Sequence, residues 1–290
     1  MEQIKDIFVE LALPDGPISF DDEIDTWTCK LGGYPIWLNN DHVNTNCRIC
    51  NSPMYLILQF ENRRNDSNDR IIFVFCCNTR ACSQDTKGWL VIIQDGDRAK
   101  KPTTWESLMG ETVGKLESLK IESNERVCFP GQYLHFTEEI INEKAIPVRK
   151  LPDHVMQTSS EFDQEAYEKT VRPSGFDKTI DAFQKRIMHY PRQCVRLSEK
   201  PLFFCKETLP NFSCQECGSQ LLHEFQLLPA ILSLLPIESE EFLSHLKIRS
   251  NHPLVSNGMD WATVFVFTCP ICPTSSSIHI QTEPEFVQFK

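Results

Sequence analysis

Cys47-Arg48-Ile49-Cys50, then Phe73-Val74-Phe75-Cys76-Cys77 and Cys82, form the stretch on which the reading of this chain turns. The pattern is a cysteine pair at a tight turn, a span rich in strand formers, and a second cysteine pair. Two to four residues between cysteines let a turn aim both sulfurs at one ion, and two such knuckles complete a tetrahedral four-thiolate site. Soft thiolates favour zinc over magnesium or calcium. The second half repeats the order with Cys214-Gln215-Glu216-Cys217 and Cys269-Pro270-Ile271-Cys272. One CxxC alone carries little weight. Four knuckles in two pairs point to two structural zinc ions per chain, with Cys47, Cys50, Cys77 and Cys82 as one ligand set and Cys214, Cys217, Cys269 and Cys272 as the other.

The similarity of the halves extends beyond the cysteines. Gln59 follows Cys50 by nine residues within Met54-Tyr55-Leu56-Ile57-Leu58-Gln59, and Gln226 follows Cys217 by nine within Leu221-Leu222-His223-Glu224-Phe225-Gln226. Phe73–Cys77 then answers to Phe265–Cys269, which sets Cys77 against Cys269 and Cys76 against Thr268. Cys77, not Cys76, is therefore the expected ligand. Self-similarity of this kind reads as an internal duplication. Short runs rich in β-branched and aromatic residues predict strands at Tyr55–Phe60, Ile71–Phe75, Trp89–Ile93, Val264–Phe267 and Ser277–Gln281. Apolar residues Phe176, Ile180, Phe183 and Ile187 recur at helical spacing and predict a helix over 176–189; a second is expected over 238–247. The expected fold class is thus α+β and β-rich: two related zinc-ribbon-like modules, a few helices and a flexible acidic linker. The expected divisions are 1–105, 106–160 and 161–290. Within the linker, the apolar island Cys128-Phe129-Pro130-Gly131-Gln132-Tyr133-Leu134 suits a short anchor onto a domain surface, and Glu138-Glu139 reads as solvated charge.

Composition narrows the function. The chain has 290 residues, 41% of them hydrophobic, so it can build real cores, and it has no run of about 18 apolar residues to cross a membrane. The start, Met1-Glu2-Gln3-Ile4-Lys5-Asp6, lacks a basic stretch followed by an apolar core, so no signal or transit peptide is expected. Thirteen cysteines in a reducing compartment argue against disulfides. Cys29, Cys76, Cys128, Cys194 and Cys205, outside the knuckles, are read as small buried hydrophobes. The net charge is −11, and it is regional. Residues 1–30 hold eight acids and two bases, and residues 106–168 hold thirteen acids and six bases. That balance opposes general nucleic-acid binding and suits a basic partner.

At this point the chain resembles a known family. Leu31-Gly32-Gly33-Tyr34-Pro35-Ile36-Trp37-Leu38 is similar to the signature near the start of programmed cell death protein 2 and its relatives. Leu56-x-Leu58-Gln59, Tyr167-Glu168-Lys169, Asp181-x-Phe183, Pro191-x-Gln193, Cys214-x-x-Cys217-Gly218 and Glu224-Phe225-Gln226-x-x-Pro229 continue the match in the family's order. Nothing between the halves supplies the cysteines of a MYND finger, so the chain looks closest to the branch without one, the programmed cell death protein 2-like and fungal twenty-S rRNA accumulation proteins. The knuckle Cys269-Pro270-Ile271-Cys272 departs from that pattern, which more often has three intervening residues.

The resemblance implies a dedicated chaperone for one basic small-subunit ribosomal protein, number five in the universal nomenclature, captured during or soon after its synthesis in support of 40S assembly and rRNA maturation. It implies a cytoplasmic monomer, with shuttling to the nucleus left open, and neither a membrane nor a direct nucleic-acid partner. Tyr34 and Trp37 are candidate client-contact residues, with core packing as their plainer role. The alternative is a zinc-ribbon interaction adaptor in ubiquitin-linked or cell-death signalling. An enzyme is not expected. The chain has no phosphate loop, GxSxG, HExxH or deaminase motif, and a closed four-thiolate site leaves zinc no open position for water. His42, near Cys47, is chemically able to replace a ligand, but four thiolates already fill that site, and His223 and His279, in predicted strands, are read as surface or satisfied side chains.

Overall fold

Tyr55–Asn62 (β3) and Asp69–Cys76 (β4) pair antiparallel, and Trp89–Gly96 (β5) extends the pairing from β4. Alternation does not explain these strands, because Leu56, Ile57, Leu58, Ile71, Ile72, Phe73 and Val74 are all buried. Both faces of the hairpin are covered, and near-continuous apolar runs are what a strand buried on both sides requires. The computed structural model describes residues 7–19, 22, 25–38, 43–62, 69–96, 128–141, 178–198, 200–204, 212–243, 258–272 and 279–283.

The remaining strands are Ile7–Pro17 (β1), Lys30–Leu31 (β2), Gln132–Ile141 (β6), Val195–Leu197 (β7), Leu222–Leu227 (β8), Thr263–Thr268 (β9) and His279–Glu283 (β10). All ten join one sheet in the order β10-β9-β8-β7-β1-β6-β2-β3-β4-β5. Helix is sparse among the described residues: Arg80–Ser83 (α1), a 3-10 turn at Thr86–Gly88, Lys178–Ile187 (α2), Ala230–Leu234 (α3) and Glu240–Leu243 (α4). The protein is β-rich with few helices. α2 lies within the stretch read as helical. α4 is one short turn, and residues 244–247 of the second expected helix lie outside the described residues, as does most of the expected linker.

Two differences from the sequence reading concern the centre of the sheet. Residues 132–141 lie inside the expected linker, yet β6 pairs with β1 along its length, from Ile7↔Ile141 to Pro17↔Gln132. Phe129 of the adjoining island is fully buried in the main core. Nor is Glu139 solvated. It is buried, 2.7 Å from the buried guanidinium of Arg196 and 3.5 Å from Arg186. Desolvation pulls the Arg196 pKa down, and the Glu139 carboxylate opposes that shift.

The sheet curls until its two ends face one another across a shared core. Trp89 meets Trp261 edge-on at 5.6 Å between ring centroids, and Phe60 meets Phe225 at 5.2 Å. Arg70 of β4 lies 3.6 Å from Glu224 of β8, and the Tyr55 hydroxyl donates to the Phe242 carbonyl at 2.9 Å.

The ends are also built alike. Tyr55↔Cys76, Leu56↔Phe75, Leu58↔Val74 and Gln59↔Phe73 on one side are matched by Leu222↔Thr268, His223↔Phe267, Phe225↔Val266 and Gln226↔Phe265 on the other, with a register shift at the same place. Lys30 opposite Gln59 and Arg196 opposite Gln226 are both buried bases.

Candidate metal centres

Each centre begins with a turn that the sequence closes in the same way. Cys47 N–H donates to the Ser52 carbonyl at 2.8 Å, and Asn51 N–H to the Cys47 carbonyl at 2.8 Å. In the second half Cys214 N–H donates to Ser219 O at 2.8 Å, and Gly218 N–H to Cys214 O at 2.9 Å. The residue after each knuckle has positive φ, 57° at Asn51 and 74° at Gly218. Asparagine and glycine are the residues that tolerate that conformation best. The bridges Asn46↔Pro53 and Ser213↔Gln220 then lead both turns into their hairpins.

The opposing strand delivers the second pair of sulfurs. Successive residues of a strand face opposite sides, so Cys76 enters the main core while Cys77 joins Cys47, Cys50 and Cys82. Burial pushes the Cys76 thiol well up. Cys82 sits in α1, held by Cys82 N–H to Thr79 O at 3.0 Å. Gly88 closes over this knuckle. Its carbonyl accepts from Cys77 N–H at 2.9 Å, and a Cβ at Gly88 would collide with the Cys82 carbonyl. In the second centre Cys269 and Cys272 meet Cys214 and Cys217 at the end of β9.

Within each set the four Sγ atoms all lie within 4.8 Å of one another. Cys50 and Cys77 are 3.5 Å apart, as are Cys217 and Cys269. A tetrahedral zinc with Zn–S of about 2.3 Å places its sulfurs about 3.8 Å apart, so both sets fit such an ion. Backbone amides already point at sulfur: Ile49 N–H to Cys47 Sγ at 3.4 Å, and Ile271 and Cys272 N–H to Cys269 Sγ at 3.4 and 3.3 Å. Such donors stabilise negative charge on the sulfur. Both sets have the ligand number and all-sulfur chemistry to hold a metal ion.

The thiols are not alike. Burial pushes Cys47 up to about 11. A hydrogen bond with Cys82, then burial, drives Cys77 far higher. Burial also resists ionisation of Cys50, but bonds from the Ser52 hydroxyl and N–H, with Cys77 and Cys47, outweigh it and leave the pKa lowered. Exposed Cys217 is pulled down to about 6 by the Ser219 hydroxyl and N–H.

Of the remaining candidates, Cys194 is buried, whereas Cys29 and Cys128 are only half-buried. Cys205 and His42 lie outside the described residues. His223 is buried, its Nδ1 2.7 Å from the Ser198 carbonyl. Trp37 is half-buried, its ring 4.5 Å from Phe73 and 5.8 Å from Phe75, and Tyr34 is also half-buried. Phe203 covers Phe265 in the matching place at 5.5 Å.

Sequence reading flagged Gln59 and Gln226 by spacing and missed their work. Gln59 Oε1 accepts from Ile36 N–H at 3.0 Å while its Nε2 donates to Thr26 O at 2.9 Å; Gln226 Oε1 accepts from Leu202 N–H at 2.9 Å while its Nε2 donates to Leu202 O at 2.6 Å. Each buried amide pins the loop that carries the ring covering its hairpin. The paired glycines of the Leu31-Gly32-Gly33 signature also gain a reason. Both have positive φ, and Gly33 N–H donates to Phe129 O at 2.8 Å where a Cβ on Gly32 would meet Pro130 O at 2.6 Å.

Taken together, these features define a curled-sheet protein with a four-cysteine metal-type centre at the base of each terminal hairpin. Comparison with known proteins places it further: the chain belongs to the programmed cell death protein 2 family, matching the family's N-terminal domain over residues 10–103 and its C-terminal putative domain over residues 177–288. It is 34% identical over 157 residues to programmed cell death protein 2-like of Gallus gallus, covering 48% of this chain and 36% of that one. It is 32% identical over 141 residues to the Homo sapiens protein of the same name, covering 43% and 34%. It is 26% identical over 166 residues to "Probable 20S rRNA accumulation protein 4" of Schizosaccharomyces pombe, covering 49% and 37%. The matches thus span about a third of the length of these relatives. No solved structure matches the chain significantly. Among the described residues no helix is long and apolar enough to cross a membrane.

Proposed function

We propose that this chain is a zinc-stapled escort for a basic small-subunit ribosomal protein, number five in the universal nomenclature, and that it supports 40S subunit assembly. The observation that carries the ribosomal part is the relationship to a fission-yeast protein named for 20S rRNA accumulation. The client's identity follows from the family resemblance. Charge supports a cationic client, since the acids concentrate in residues 1–30 and 106–168. Ribosomal proteins carry basic surfaces meant for rRNA, and an acidic partner shields them from the wrong polyanions.

In this reading each centre holds one zinc ion in a closed, structural role, and the protein performs no catalytic step. Matching registers, knuckle turns and buried glutamines support descent of the two ends from one duplicated zinc-ribbon-like unit. The protein works as a monomer in the cytoplasm. Tyr34 and Trp37 are both half-exposed, Trp37 beside Phe73 and Phe75 of the first hairpin, and they are the proposed contact residues. Tyr34→Ala is expected to weaken capture while leaving the fold intact.

Co-purification from cells with nascent chains preserved, at low salt, with mass spectrometry of the bound proteins, tests the proposal. The expected result is one small-subunit ribosomal protein enriched far above all others and released as salt rises. A pull-down lacking it, or enriching rRNA without it, overturns the reading.

A further inference from the structure

The second knuckle of the first centre does more than supply two sulfurs. Between Cys77 and Cys82, and just after, it reaches into the other end of the molecule. Asn78 Nδ2 donates to the Ile237 carbonyl at 2.9 Å, and Asn78 Oδ1 accepts from Met259 N–H at 3.0 Å. Ser83 Oγ accepts from Asp260 N–H at 3.0 Å, and the Arg80 guanidinium forms an ion pair with the Asp260 carboxylate. Trp89 Nε1 donates to Ser83 O at 2.7 Å while its ring packs on Trp261. Asn78 and Ser83 are buried, so their bonds are shielded from water. The matching knuckle of the second centre, by contrast, turns Pro270 and Ile271 toward solvent, with Ile271 67% exposed.

We infer that the first metal centre is a clamp: the ion that fixes the Cys77–Cys82 loop also holds the 258–262 segment of the C-terminal half in place, whereas the second centre has no such duty. The inference rests on both clusters holding metal, and it goes beyond that by assigning them unequal roles. Asn78 and Ser83 keep their places only while the loop between the two ligands keeps its shape. Four thiols without an ion share only weak S–H hydrogen bonds, such as that between Cys50 and Cys77 at 3.5 Å, which hold that shape far less firmly than four metal–sulfur bonds. Coupling of this kind is reciprocal, because whatever the metal adds to docking, docking must return to metal retention. The clamp also walls a cavity of about 920 Å³ lined by Arg80, Met259, Asp260 and Trp261 on one side and by Leu232 and Leu235 among others, so loss of the first ion would open that wall.

The test uses the full chain loaded with zinc and challenged with EDTA, following zinc release with a colorimetric dye. Cys272→Ser removes the second-centre phase and so assigns the other. Asn78→Ala and Ser83→Ala keep every thiol, and each is expected to speed first-centre release at least about fivefold while leaving the second phase unchanged. Hydrogen exchange on the unsubstituted protein gives the reciprocal reading. The Met259 and Asp260 amides should stay protected when the second centre is emptied and should exchange when the first is emptied. Acceleration below about fivefold in both variants, equal acceleration of both phases, or protection of those amides after both ions are gone would each overturn the clamp. Release of one zinc ion or fewer per chain from unsubstituted protein would instead count against two separate centres.

Discussion

The two cysteine centres close with the same turns and sit in different surroundings. In the first, Cys47, Cys77 and Cys82 are buried and Cys50 is half-buried; in the second, Cys217 is exposed and Cys272 half-buried. The first carries its last ligand, Cys82, in α1 and follows it with the 3-10 turn before β5, and Asn78 and Ser83 bond to the other half of the chain. The second is followed from 273 to 278 by residues outside the described set. A ligand pattern therefore specifies a turn but not its mechanical role. That role comes from what the residues between the ligands touch.

The largest expected effect comes from removing a buried ligand. Cys77→Ser should leave little soluble protein, because metal-binding free energy in such sites is folding free energy, about 10–16 kcal/mol in small zinc peptides. Cys269→Ser should cost less soluble yield, and equal yields would erase the distinction between the centres. Gly88→Ala comes next. Its Cβ must displace the Cys82 carbonyl, and overpacking of this kind costs about 1–3 kcal/mol or more. A thermal scan should show the loss together with a lowered zinc content. Gln59→Leu and Gln226→Leu should each cost about 1–3 kcal/mol by leaving a buried loop amide unpaired. Similar losses for the two by chemical denaturation would support the likeness of the halves, and a cost at only one end would break it. The smallest effect is expected from Cys76→Thr, which installs the residue found opposite at Thr268. A hydroxyl among apolar neighbours should cost about 1 kcal/mol without loss of zinc. In chelated protein, iodoacetamide should label Cys217 before Cys47, since it is exposed and its thiol is lowered to about 6 while burial holds Cys47 at about 11.

Much of this was legible in the sequence, for local reasons. Knuckle spacing and the apolar runs around Phe73 and Phe265 mark both hairpins, because turn chemistry and β-propensity act over a few residues. The central strands were not legible. The acidic surroundings of β1 and its end at Pro14-Asp15-Gly16-Pro17 mask the apolar run Ile7-Phe8-Val9-Glu10-Leu11-Ala12-Leu13, and β6 carries His135, Glu138 and Glu139, of which the acidic pair reads as solvated charge. What makes them strands is each other, through pairing across more than a hundred residues and a buried ion pair between Glu139 and Arg196. The clamp escaped for the same reason. Asn78 and Ser83 look like ordinary turn residues until the curl of the sheet brings residues 237 and 258–262 against them.

Zinc analysis combined with X-ray absorption on protein purified without added metal tests the central claim most directly. Two zinc ions per chain, each surrounded by four sulfurs at about 2.3 Å, are expected. One ion or none, or a first shell containing nitrogen or oxygen, would contradict it.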